Sequence, residues 1–325
     1  MQAFKVDLPN GSTLSGHNYH PDTSSPAYTA LDDSRRPLLI AIHGATYGST
    51  YFDADPKHTA VLCSKGLGVP VVAIDRPFYK ETSPFTVPEG KNYHEELAVQ
   101  LHNHILPALW KEFGRGCGSM VLHCHSVGTP SAIILAGWLA QEQAQGKSEP
   151  AYPLSGLTIS GFGSEQYHPN YVPQSQEPPP PDPIPEWIDW PLDAKDDLMI
   201  QKGTVDPAIY EQTRRLHNLL PRRERGDYEL IWHDDKWRAL CGAVELPVLI
   251  GLAEKDALWV GTEQHVKEFA DGFTRSERVE ASLVRGAPHC IELSYWAQGW
   301  YARCFGWALE CATGYAVRKA TAQAA

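Results

Sequence analysis

Five short runs of this 325-residue chain are apolar on both faces: "PLLIAIHG" (37–44), "VPVVAIDRP" (69–77), "SMVLHCHS" (119–126), "LSGLTISG" (154–161) and "LPVLIGLAEKD" (246–256). A strand with one wet face alternates apolar and polar residues, so runs without alternation must be covered on both sides. That is the pattern of a mostly parallel sheet sandwiched between helices, and helical patterns do lie between the runs. "NYHEELAVQLHNHILPALWKEF" places Leu97, Leu101, Ile105 and Leu109 on one stripe. "AFKVDL" and "STLSGHNY" flank Asn10-Gly11 and read as an opening hairpin, while "SERVEASLVRGAPH" supplies a last strand before an aromatic-rich helix from about Ile291 to Cys311. The class expected is α/β.

One segment breaks this rhythm. From about Gly163 to Leu240 there is no βα repeat, and "YVPQSQEPPPPDPIPEWIDWP" is too proline-dense for a central strand or a regular helix. Helices are expected over "DPAIYEQTRRLHNLL", opened by Asp206-Pro207, and over "DYELIWHDDKWRALC". The segment reads as an insertion between the sixth and seventh strands. Residues 1–162 and 241–325 are then the core, and 163–240 a cap.

Charge and cysteine usage remove several function classes. The formal net charge is −11 and basic residues are scattered, which disfavours nucleic acid or an anionic membrane as partner. No stretch approaches the roughly 20 apolar residues of a membrane span, and the first residues lack the apolar run of a signal peptide. Seven cysteines without C-x-x-C spacing suit reduced thiols, and a cytoplasmic protein is expected.

At "CHSVG", an apolar strand runs straight into a helix with Ser126 on the corner. A serine there has its hydroxyl held out at the carboxyl edge of the sheet, above the first amides of the next helix. Alone, the pentapeptide fits a helix N-cap serine equally well. A serine nucleophile also needs a base and a carboxylate to orient that base. Asp256 ends the penultimate strand and His289 follows the last one, so both fall on the edge that carries Ser126, in the order Ser, Asp, His. Upstream, "AIHGATYG" brings a second loop to that edge. The amide of Ala45, with Thr46 as the alternative, pairs with that of Val127 as a candidate oxyanion donor.

Taken together, "AIHG", "AIDRP", "HCHSVG", "GLAEKD" and "GAPH" resemble the motifs of the capped α/β-hydrolase-fold serine hydrolases, and the general look is similar to those of microbial and fungal small-molecule pathways. The resemblance spans nearly the whole chain. It implies an α/β-hydrolase fold, Ser126 as nucleophile, His289 as general base and acid, Asp256 as orienting acid, Ala45 and Val127 as oxyanion amides, and no metal or organic cofactor. Cys124 departs from the family's glycine and demands more room at the elbow. The activity implied is cleavage of an ester, thioester or lactone through an acyl-enzyme. The same triad also serves acyl transfer, cyclising thioester release and C–C bond hydrolysis. A lyase or isomerase without an acyl-enzyme, or a ligand-binding module, are readings of another class.

Several residues compete for roles. Glu165, just after the sixth strand, is the rival orienting acid. His123, His125, His102 and His104 lack a third ligand at metal-binding spacing and read as structural, as does His43. Cys290 beside His289 has no elbow around it. In the cap, Tyr167, Tyr171, Trp187, Trp190, Tyr210, Trp232 and Trp237 are candidates to line a pocket for a bulky, partly aromatic small molecule, with about half of them expected to pack cap against core instead.

Overall fold

The computed structural model describes residues 1–147, 150–167, 186–232 and 235–324. In chain order the strands are β1 (Gln2–Asp7), β2 (Thr13–Tyr19), β3 (Pro37–Ile42), β4 (Val71–Ile74), β5 (Ser119–His125), β6 (Leu154–Ser160), β7 (Trp187–Ile188), β8 (Leu220–Pro221), β9 (Val248–Lys255) and β10 (Val279–Pro288). Eight of them form one sheet in the order β1-β2-β4-β3-β5-β6-β9-β10. The hairpin β1/β2 is antiparallel and joins β4 antiparallel; every other pairing is parallel. β7 and β8 make a separate antiparallel ribbon.

The unalternating runs are explained by burial on both faces. Every residue of β3, β4, β5 and β6 is buried, and two apolar clusters lie on opposite sides of the sheet. Ile40, Ile42 and Leu122 face one cluster, while Leu39, Ala41 and Val121 face the other. Burying each large aliphatic side chain contributes about 1.5–3 kcal/mol. The last helix, Ala297–Ala324, lays Trp300, Tyr301, Phe305 and Trp307 over the second side.

The helix expected over 92–113 is continuous but not uniform. It runs as α (Tyr93–Gln100), π (Leu101–Ile105) and α (Leu106–Phe113), with the N–H of Leu106 reaching back five residues to Leu101. The wide turn sits just before Pro107, which lacks a donor and whose ring crowds the preceding turn. The stripe survives, since Leu97, Leu101, Ile105 and Leu109 are all buried.

Between β6 and β9 the described residues form the ribbon and four helices, Leu192–Met199, Ala208–Leu216, Arg222–Trp232 and Lys236–Cys241. The single helix expected over 227–241 is thus two, with Asp235 in the left-handed region at φ 61° where the second begins. The Asp206 carboxylate accepts from the Ala208 amide, as an N-terminal cap does. The proline tract at 168–185 lies outside the described residues. Among the described residues no helix is long and apolar enough to cross a membrane. All seven cysteines are unpaired.

Candidate active site

Ser126 follows β5 directly and opens the short 3₁₀ turn Ser126–Gly128 that leads into the helix Thr129–Ala144. Its backbone φ is 52°, a left-handed conformation that a non-glycine residue adopts at a cost. That strain is the mark of a tight strand-to-helix corner, and the neighbours make the room. A Cβ on Gly44 would stand 2.8 Å from Cβ of Ser126, and one on Gly128 would stand 2.7 Å from the His43 carbonyl oxygen. Glycine is therefore required beside the corner rather than at position 124. Cys124 packs fully buried in the core, its thiol pushed far towards the protonated form by burial.

Asp256 and His289 meet Ser126 at the carboxyl edge of the sheet. His289 Nε2 lies 3.0 Å from Ser126 Oγ, and His289 Nδ1 lies 3.0 and 2.8 Å from the two carboxylate oxygens of Asp256. One of those oxygens also accepts the Leu258 and Trp259 amides at 2.8 and 3.1 Å, which fixes the carboxylate. Glu165 is elsewhere: its side chain is exposed and pairs with His265 at 3.0 Å. The three side chains are thus linked in one line over 163 residues of sequence, with the imidazole in a position to take the serine proton.

Beneath the imidazole is a buried polar column that sequence reasoning missed. His125 packs against His289 with ring centroids 5.0 Å apart and stacks on Tyr51 at 4.8 Å. Below it sits Glu292, fully buried, accepting from Ser160 Oγ (2.5 Å), Tyr51 OH (2.7 Å) and Trp300 Nε1 (3.0 Å). His123 Nε2 lies 3.2 Å from the same carboxylate and His125 Nδ1 3.5 Å. Burial opposes ionisation of Glu292, but the two imidazoles and the Ser160 hydroxyl outweigh it and hold the carboxyl well below its usual range. Burial drives His125 the other way, down to about 3, so its ring is neutral. Glu292 stands inside "HCIEL", three residues past His289, and nothing in that stretch marks it as buried. Cys290 is buried between Tyr47 and His125, 3.7 Å from each, and burial pushes its thiol up to about 12.

Above the serine, a pocket of about 260 Å³ is lined by Ala45, Ser126, Val127, Phe162, Trp190 and Tyr228 among others. Tyr167 and Trp190 reach it, as do Leu198, Met199 and Leu220 from the segment between β6 and β9. Trp232 and Trp237 do not. They are buried against Phe269, and Trp232 Nε1 donates to the Gly163 carbonyl, because their large apolar faces cover the edge of the core. Trp187 sits in the ribbon with its ring 6.1 Å from Phe78, and Tyr210 is exposed with its hydroxyl on the Ile200 carbonyl. Tyr171 lies outside the described residues.

No protein-family model and no curated protein matches the sequence. Solved structures do match it in shape. The chain is similar to a thermophilic esterase from Thermogutta terrifontis (14% identity, TM-score 0.57, 96% of this chain and 99% of that one). It is similar to a haloalkane dehalogenase variant from Bradyrhizobium elkanii (15%, 0.57, 97% and 99%) and to a thioesterase domain from the curacin biosynthetic pathway (12%, 0.55, 95% and 99%). These likenesses share one scaffold across different chemistries: the chain has the α/β-hydrolase fold.

Proposed function

We propose that the chain is a serine hydrolase that cleaves an ester, thioester or lactone of a small molecule through an acyl-enzyme on Ser126. The observation that carries this reading is the unbroken line from Asp256 through His289 to Ser126 Oγ, with the serine on a strained corner facing the pocket. In this reading His289 takes the hydroxyl proton as Oγ attacks the carbonyl carbon, and Asp256 holds the imidazole in the tautomer that leaves Nε2 free to accept. The negative charge that develops on the carbonyl oxygen is met by the Ala45 and Val127 amides. His289 then protonates the leaving group, and a water deprotonated by the same nitrogen releases the acid.

The pocket argues for the acyl side of the substrate. Its walls are mainly apolar and aromatic, and about 260 Å³ accommodates a medium-sized apolar acyl group rather than a whole polycyclic molecule. We assign the segment 163–240 as a cap over that pocket, since Trp190, Leu198, Met199, Leu220 and Tyr228 line it together with Ser126. Seven unpaired thiols suit a reducing compartment, so the proposed site of action is the cytoplasm. Intact-mass spectrometry after treatment with a fluorophosphonate tests the assignment. One adduct on the wild type that disappears in Ser126→Ala supports it; an adduct that persists in the variant sinks it.

A further inference from the structure

The loop Gly44–Thr46 carries one of the two amides assigned to the oxyanion, and the polar groups on either side of that amide are held from outside the loop. The Gly44 carbonyl accepts from Arg76 Nη2 at 3.0 Å. The Thr46 carbonyl accepts from the Asn218 amide at 2.9 Å and from Lys195 Nζ at 3.2 Å. Thr46 itself is held at φ 61°, a conformation that persists only where its surroundings enforce it.

Geometry makes this clamp directional. In a trans peptide the carbonyl and the following N–H point opposite ways, so drawing the Gly44 carbonyl towards Arg76 turns the Ala45 N–H away from it. Ala45 lines the pocket beside Ser126 and Val127, and among the described residues its amide has no hydrogen-bond partner.

The clamp converges on the segment between β6 and β9. Arg76 and Tyr79 both end on Glu224, which accepts from Arg76 Nη1 and Nη2 at 2.8 and 2.9 Å and from the Tyr79 hydroxyl at 3.0 Å. Arg76 and Glu224 are fully buried, so this bidentate pair works in a low dielectric, where charge-assisted hydrogen bonds are strong and geometrically exacting. Lys195 is also buried, with Nζ 3.9 Å above the Tyr47 ring and 3.4 Å from His217 Nδ1. Burial draws its ammonium down to about 8, so at neutral pH it still donates as a cation. A pair serving only to pin the segment to the core could end on any nearby backbone; these donors end on the two carbonyls that flank Ala45.

We propose that Glu224 and Lys195 are positioning residues that set the oxyanion amide of Ala45, so that the segment lining the pocket also completes the catalytic loop. This rests on the reading of Ser126 as nucleophile. The effect is confined to the transition state: a misaimed amide lowers the rate of attack at Ser126 without weakening binding of the uncharged probe.

The experiment is the kinetics of fluorophosphonate labelling, resolved into a limiting rate and a half-saturating concentration, at several pH values. Lys195→Met removes one anchor. The double variant Arg76→Met/Glu224→Leu removes the other while leaving no unpaired buried charge. In variants that keep the wild-type circular dichroism spectrum, the limiting rate is expected to fall 10- to 100-fold, with half-saturation within threefold and the pH midpoint unmoved. Limiting rates within threefold of wild type, or a loss confined to half-saturation, overturn the proposal. Lys195→Met decides the matter alone if the double variant does not fold. Failure of the underlying reading is separate and visible: an unlabelled wild type, or Ser126→Ala labelled at the wild-type rate.

Discussion

Asp256 presents both carboxylate oxygens to Nδ1 of His289, at 3.0 and 2.8 Å, while its rival Glu165 faces His265 on the surface. This geometry supports the proposal that the orienting acid is Asp256, on the loop after β9. Asp256→Asn keeps the shape but offers an amide where the imidazole needs an acceptor, and kcat is expected to fall on the order of 10³- to 10⁴-fold. Glu165→Gln is expected to stay within threefold of wild type. Steady-state hydrolysis of p-nitrophenyl esters compares the two, and a larger loss from Glu165→Gln reverses the assignment.

A single methyl group at position 44 tests how rigid the corner is. A Cβ there would stand 2.8 Å from Cβ of Ser126 and 3.0 Å from Cδ2 of His125, and neither is the free end of a flexible chain. Either the serine or the Gly44–Thr46 loop must shift. A displacement near 1 Å in a catalytic constellation costs on the order of 10²-fold, so Gly44→Ala is expected to lose at least that much kcat while unfolding cooperatively. Activity near wild type means the loop has slack.

Acid should unfold this protein well before its surface carboxylates titrate. Burial drives His94 and His125 each down to about 3, so both are neutral in the folded chain. The unfolded chain binds those protons near the ordinary histidine value, so it holds more protons than the folded chain between about pH 6.5 and 3, and stability falls as pH falls through that window. Two such groups amount to on the order of 4 kcal/mol between pH 7 and 5. Glu292, whose folded carboxyl is held low against the cost of burial, adds loss in the same direction at lower pH. Urea denaturation at pH 7.5, 6 and 5 measures this; an unchanged unfolding free energy contradicts it.

Trp190 tests the acyl pocket. It is half-buried and lines the pocket from the segment before the helix Leu192–Met199. Trp190→Ala removes apolar contact made equally in ground and transition state, so KM for a short acyl ester is expected to rise about 3- to 10-fold with kcat nearly unchanged. Longer acyl chains should lose less, because the cavity lengthens. A series of p-nitrophenyl esters reads this out, and a uniform loss of kcat across it places Trp190 elsewhere in the mechanism.

What could be read from the sequence follows from the range of the interactions concerned. The sheet strands declare themselves locally, because burial on both faces forces apolar residues at consecutive positions such as 37–42. The meeting of Ser126, Asp256 and His289 was legible because each directly follows a sheet strand, and strand ends share an edge. Glu292 and Glu224 were not. Their partners Ser160 and Arg76 lie 132 and 148 residues away, and nothing local distinguishes a buried acid in "HCIEL" or "RRERGD" from a solvated one. Trp232 and Trp237 show the same limit, since an aromatic residue looks alike whether it meets a ligand or Phe269.

The anchoring of the Thr46 carbonyl by Lys195 and Asn218, and of the Gly44 carbonyl by an Arg76 that is itself held by Glu224, has an evolutionary consequence. On many scaffolds a variable insertion can be exchanged to change what is recognised while the reacting groups carry on untouched. Here Arg76 would be left as a buried cation without its carboxylate, and the loop bearing Ala45 would lose two donors. New recognition in this lineage is therefore expected to arise by substitution of wall residues such as Leu198 and Trp190 within an insertion that keeps Lys195 and Glu224, and not by wholesale replacement of the insertion.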